Sequence, residues 1–228
     1  MSPLSEELKG RVDYHLSPGL RAGWGGPFNG QAFRTEQFDA IVRVLRPVCL
    51  VETGTYLGRT TEYLATVGVP VFTFESDAHH HAFSAARFRG RPEVTLRRCD
   101  SRTGIAALLA DGRIGGDGCV FFYLDAHWHE DLPLADELAL IVGGCHRPVI
   151  MIDDFQVPHD PGYGYDDYGP GQALTPAYVA PLVSATGLRM LYPAAPAAEE
   201  TGARRGSVVL CTPEAADPLL STGVFRAA

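Results

Sequence analysis

Two acids, Asp153 and Asp154, stand side by side at the end of one apolar run, and a third, Asp125, closes another. A carboxylate in such a place is costly unless it is paired, hydrogen-bonded or metal-bound. If the two runs are neighbouring strands, the three acids converge at one sheet edge. That much negative charge favours a hard divalent cation with oxygen ligands, Mg2+ first among them. Helix capping and hydrogen bonds to loop amides are the plainer uses of the same residues. His127, two positions past Asp125, can take a proton near neutral pH. With His129 or His159 and Asp125 it can equally be part of a histidine–carboxylate site for a transition metal.

A second group of residues points to a nucleoside. The stretch Glu52-Thr53-Gly54-Thr55-Tyr56-Leu57-Gly58 follows an apolar run and precedes a helical one. Its glycines allow a sharp turn and close approach of backbone to a ligand. It is not G-x-G-x-x-G, which argues against a dinucleotide site of the usual kind. About twenty residues further on, Glu75 and Ser76 end the next apolar run, and a carboxylate there can accept both hydroxyls of a ribose. Asp100 and Ser101 follow the third run. Asp100 can reach a base amino group or cap the next helix, and the two roles are compatible.

These residues need a sheet that presents strand ends side by side. Apolar runs at 48–52, 69–75, 94–99, 119–124, 148–152, 188–192 and 207–211 read as seven strands. Helical spacing occurs at 35–45, 60–67, 78–88, 101–109, 132–142 and 177–186. The alternation predicts an α/β fold of Rossmann-like, doubly wound type. Its sheet is mostly parallel, closes with an antiparallel edge hairpin and carries helices on both faces. In such sheets ligands bind beyond the carboxyl ends of the strands, where all the residues named above lie. Residues 1–34 read as an N-terminal arm with one short helix, and 35–228 as a single domain. The arm, with Trp24, Phe28, Asn29 and Gln31, can close over a ligand or serve a homodimer contact. The Gly-, Tyr- and Asp-rich stretch 158–171 is expected to bring Tyr163, Tyr165 and Tyr168, with His129, to the substrate. The run His79-His80-His81 falls on a helix surface and is expected to be solvated, with no part in the site.

Bulk composition excludes several classes. The chain has 228 residues, 46% hydrophobic, and a formal charge of −8 with no basic run, so nucleic acid and anionic membrane are not expected partners. Lys9 is the only lysine, which disfavours Schiff-base and P-loop chemistry. There is no G-x-S-x-G elbow. Cys49, Cys99, Cys119, Cys145 and Cys211 form no C-x-x-C and read as reduced, mostly buried thiols. The polar opening ten residues do not read as a secretory signal, and no run approaches the length of a membrane span, so a cytoplasmic enzyme is expected.

Over residues 35–212 this pattern resembles the class I methyltransferases, and within them it is similar to the metal-dependent O-methyltransferases, the macrocin-type sugar enzymes included. The resemblance implies S-adenosylmethionine as cofactor. Glu52, Gly54, Thr55, Tyr56 and Gly58 would form its glycine loop, Glu75 and Ser76 would hold its ribose, and Asp100, Ser101 and Asp125 would line the rest. It also implies Mg2+ on Asp125, Asp153 and Asp154, and a small hydroxylated acceptor. The sugar-methylating members carry L-D-G-D where this chain has Leu124-Asp125-Ala126-His127, so His127 falls at the position of their base. Three other readings stay open: methyl transfer without metal with His127 as base, a nucleotide-binding protein of Rossmann type, and a metal-dependent hydrolase.

Overall fold

The computed structural model describes residues 5–23, 25–127 and 131–228. Eight strands form one sheet: β1 (Cys49–Thr53), β2 (Val71–Phe74), β3 (Val94–Arg97), β4 (Val120–Leu124), β5 (Pro148–Ile152), β6 (Arg189–Pro193), β7 (Val208–Cys211) and β8 (Phe225–Ala227). Their spatial order is β3-β2-β1-β4-β5-β7-β6-β8. The first five are parallel, and β7 runs antiparallel to both β5 and β6. The helices are α1 (Glu6–Leu16), α2 (Pro18–Ala22), α3 (Ala32–Leu45), α4 (Arg59–Leu64), α5 (Ala78–Arg87), α6 (Ser101–Ala110), α7 (Leu134–Gly144), α8 (Pro176–Thr186) and α9 (Pro213–Leu220).

β1, β4 and β5 are buried along their whole length because helices cover both faces of the sheet. Side chains alternate across it. Val51, Phe122, Ile150 and Ile152 join α6 and α7 in one core, while Leu50, Phe121, Tyr123 and Met151 join α3 and α9 in the other. The order of strands reverses between β1 and β4, which opens a crevice at their carboxyl ends.

The doubly wound sheet and its antiparallel edge agree with expectation, and two elements are additional. β8 pairs with β6 through Leu191 and Ala227 and forms the true edge. It is three residues long and buries only Phe225, too little for an alternation to register. α9 carries an internal proline, Pro218, that obscures its helical pattern. The N-terminal segment holds two helices where one was expected. α1 is capped by Ser5 and lies against α5 so closely that a Cβ on Gly10 would stand 2.1 Å from the His79 carbonyl oxygen. α1 is polar and buries only Gly10, so its docking leaves little hydrophobic signature. The five cysteines are unbonded to one another. Among the described residues no helix is long and apolar enough to cross a membrane.

Candidate active site

The glycine loop joins β1 to α4 at the crevice. Gly54 has φ +80, and a Cβ there would lie 2.2 Å from the carbonyl oxygen of Asp125 at the exit of β4. Only glycine tolerates both the angle and the approach. Gly58 repeats the requirement, at φ +75 and 2.6 Å from the Phe88 ring. Between them Tyr56 is also left-handed, at φ 48. The loop is braced from beneath. Thr55 and Thr73 share a hydrogen bond of 2.6 Å, and Thr73 donates to the Glu52 carboxylate, also at 2.6 Å. Thr61 of α4 donates to the same oxygen. Burial pushes Glu52 up to about 7 despite these two hydroxyls. Glu52 therefore ties loop, helix and β2 together, and it borders a small recess with Asn29, Gly58 and Arg59.

Glu75 closes β2 with both carboxylate oxygens held by backbone: Oε2 accepts from the Tyr56 amide at 2.7 Å and Oε1 from the Asp77 amide at 2.9 Å. Burial still raises its pKa. Each oxygen has a lone pair left for a hydroxyl. Asp100 caps α6 through the Arg102 amide at 2.9 Å and is also bound by the Arg102 guanidinium, which lowers its pKa. The capping role is thus realised, and Asp100 and Ser101 still line the crevice.

The acids after β4 and β5 divide between the two faces of the sheet. β4 and β5 are parallel neighbours with Leu124 opposite Ile152, so Asp125 and Asp153 begin level. Asp153 turns towards α3. It is fully buried, ion-paired with Arg34, and accepts the Tyr123 hydroxyl. Asp154 has φ 50, a left-handed kink that sends it the other way. The expected metal trio therefore loses Asp153, whose charge is already matched in the interior. In its place stands His127. Ligand atoms of Asp125, His127 and Asp154 all lie within 4.8 Å of one another, with His127 Nε2 3.9 Å from Asp125 Oδ1. His127 is 6% exposed, and neither ring nitrogen has a hydrogen-bond partner among the described residues. A buried imidazole left so costs free energy unless a ligand uses it. Burial lowers its pKa, so it is neutral, with a lone pair available. Burial, reinforced by the Asp154 charge, raises the Asp125 pKa well above its ordinary value. A divalent cation would relieve both strains, so the residues present fit one.

Arg205, Asp166 and Arg34 carry no local sequence signature. Arg205 Nε donates to Asp154 at 2.6 Å and its Nη2 binds Asp166, which also accepts the Tyr168 hydroxyl. Tyr168 lines the crevice. Tyr163 does not. It is buried, with its hydroxyl on the Ala195 carbonyl at 3.1 Å. Tyr165 is half-buried and absent from the lining. His159 packs edge-on against Tyr192, away from the acids. His129 and Trp24 lie outside the described residues. The histidine run is not merely solvated. His79 Nε2 meets Asp13 of α1 at 2.7 Å, and His80 stacks edgewise on Tyr56, centroids 4.5 Å apart, and lines the crevice.

Glu75, Asp100, Gly54, Asp125, His127 and Asp154 line one open cleft of about 840 Å³, together with His80, Tyr168 and Arg205. Its volume is in the range of ligand-binding pockets, roughly 300–1,000 Å³.

No family model matches the sequence, and no curated protein does. Solved structures share its fold. An O-methyltransferase from Bacillus cereus, in complex with SAH, superposes with a TM-score of 0.58 at 14% identity, covering 93% of each chain. The O-methyltransferase TomG from Streptomyces achromogenes, involved in tomaymycin synthesis and in complex with SAM, gives 0.58 at 14% identity over 92% of this chain and 91% of that one. The methyltransferase domain of bacterial CtHen1 gives 0.54 at 12% identity over 78% of this chain and 97% of that one. The chain shares the fold of these methyltransferases.

Proposed function

We propose that this protein is an S-adenosylmethionine-dependent O-methyltransferase acting on a hydroxyl of a small molecule such as a sugar or other natural product. One observation carries the reading: the nucleoside-type pocket at Glu75 and Gly54 and the Asp125–His127–Asp154 cluster open into the same cleft. Glu75, aimed by the Tyr56 and Asp77 amides, accepts the ribose hydroxyls. Asp100 and Ser101 flank the base, and the backbone at Gly54 lets the donor lie against the sheet edge. That the fold's solved representatives include SAM- and SAH-bound O-methyltransferases supports this choice of donor and acceptor atom.

The donor brings its own leaving group, so the enzyme's work is alignment and deprotonation. Asp125, Asp154 and His127 would hold a divalent cation, whose charge lowers the pKa of an acceptor hydroxyl. With an imidazole among the ligands, Mn2+ suits the set as well as Mg2+. Tyr168 offers a ring surface beside the cluster for the acceptor. A second reading omits the metal. His127, neutral through burial and with both nitrogens unbonded, takes the acceptor's proton itself.

Calorimetric titration with S-adenosylhomocysteine and with NAD tests the donor assignment. Binding of the first and not the second is expected; preference for NAD would refute it. Turnover before and after chelation separates the two readings of His127.

A further inference from the structure

We propose that Arg205 is a built-in counter-cation that competes with a divalent metal ion for Asp154 and so sets the metal affinity of the cluster. The proposal rests on reading Asp125, His127 and Asp154 as a metal-holding set. Asp154 has one carboxylate oxygen committed to Arg205 Nε at 2.6 Å. Arg205 reaches Asp166 with Nη2, and Asp166 is in turn held by the Tyr168 hydroxyl. The guanidinium thus has two acidic partners, and only one of them, Asp154, belongs to the metal-holding set.

The main chain of Arg205 is held independently of its side chain. Its amide donates to Gln31 Oε1 at 2.8 Å, and its carbonyl accepts from Gln31 Nε2 at 2.9 Å and from Arg34. The next residue, Gly206, passes so close to the Phe155 carbonyl oxygen that a Cβ would lie 2.2 Å from it. The backbone therefore cannot carry Arg205 away, and adjustment must come from the side chain. Its guanidinium and an ion on Asp154 would be like charges at close range, and such repulsion is strong where water is scarce. Uptake of the ion shifts Arg205 towards Asp166, which is already its partner. Without metal, Arg205 returns to Asp154 and limits the build-up of negative charge at the crevice. Arg205 bonds neither Asp125 nor His127, whose two ring nitrogens have no hydrogen-bond partner among the described residues.

Mn2+ binding, followed by the electron paramagnetic resonance signal of the free ion, tests this on the whole chain. Arg205→Met is expected to bind Mn2+ about five- to fiftyfold more tightly than the unaltered protein. Arg205→Lys, which keeps the charge and loses the fork that spans Asp154 and Asp166, is expected to bind Mn2+ with an affinity between those of the unaltered protein and the Met variant. Arg205→Gln is neutral and still able to bond Asp166, and it replaces the Met variant if that one does not fold. Equal or weaker Mn2+ binding in a folded neutral variant overturns the proposal, as does absence of Mn2+ binding in all forms. S-adenosylhomocysteine affinity, measured in parallel, judges the donor site separately: its loss would refute the methyltransferase reading and leave the order of Mn2+ affinities to stand.

Discussion

Arg34 and Asp153 form an ion pair that is closed to solvent, 1% and 0% exposed, at the underside of the strand ends that carry the candidate site. Arg34 also donates to the Arg205 and Gly206 carbonyls, so one guanidinium joins the start of α3, the end of β5 and the approach to β7. Tyr123 supplies a further hydrogen bond to Asp153. The pair is a structural post for the cleft, and Asp153 is spent there.

Breaking this post should be expensive. Removing one member of a buried pair leaves an unmatched charge, which costs roughly 3–5 kcal/mol. Asp153→Asn is expected to lose stability of that order in denaturant unfolding. Below its unfolding transition it should keep Mn2+ affinity near that of the unaltered protein. A metal ligand at this position would instead lose the ion while stability changed little.

His127→Gln should slow methyl transfer by about 10²–10⁴-fold. S-adenosylhomocysteine affinity should move by less than threefold, roughly, since the imidazole lies at the acceptor end. Because burial lowers the His127 pKa, the imidazole stays neutral below its ordinary range. The acid limb of the kcat–pH profile is therefore expected below about pH 6.5, the unperturbed histidine value. A limb at or above that value would exclude His127 as the proton acceptor of the metal-free reading, and full turnover in the variant would remove His127 from the site under either reading.

Glu137 gives a pH-dependent stability of definite sign. It lies fully buried on α7, neither carboxylate oxygen has a hydrogen-bond partner among the described residues, and burial pushes it up to about 7. Its folded pKa is raised, so its contribution to stability is complete below the unfolded pKa near 4.5 and is lost as pH rises through about 7. Glu137→Gln should therefore be more stable than the unaltered protein at pH 8, by on the order of 2 kcal/mol, and the gain should shrink towards pH 5. Thermal or urea unfolding at the two pH values measures it. A gain independent of pH would show that Glu137 titrates normally.

The donor pocket is tested from two sides. Glu75→Ala removes the acceptor of two hydroxyls, and charge-assisted bonds are worth about 1.5–3 kcal/mol each. S-adenosylhomocysteine affinity should fall at least about tenfold. Gly54→Ala must place a Cβ against the Asp125 carbonyl at φ +80. It should lower both that affinity and stability, the latter by roughly 1–3 kcal/mol. If calorimetry finds ligand binding unchanged in both variants, the nucleoside lies elsewhere.

Gly54, Gly58 and Glu75 are legible because their signals are local. Gly54 and Gly58 mark a turn with positive φ, and Glu75 marks the end of a buried strand. Asp153 and Asp154 were not separable in this way. Adjacent residues leaving a strand face opposite sides, and only the kink at Asp154 together with the long-range partner Arg34 decides which acid enters the cleft. Arg34 is 119 residues from Asp153 in the chain, and Arg205 is 51 from Asp154. No spacing rule connects positions so distant. His80 falls on the predicted surface of a helix, yet its ring rests on Tyr56, whose own position follows from the turn. Tyr163 shows the reverse: a tyrosine in a polar stretch that serves the core.

The claim that donor pocket and acid–imidazole cluster form one site is tested most directly by a crystal structure with S-adenosylhomocysteine and Mn2+, read from the anomalous signal of the metal. The account predicts the nucleoside ribose on Glu75 and a single manganese peak ligated by Asp125, His127 and Asp154, facing the thioether sulfur across the cleft. A manganese peak at Asp153, none at all, or a nucleoside bound outside the Gly54 crevice would contradict it.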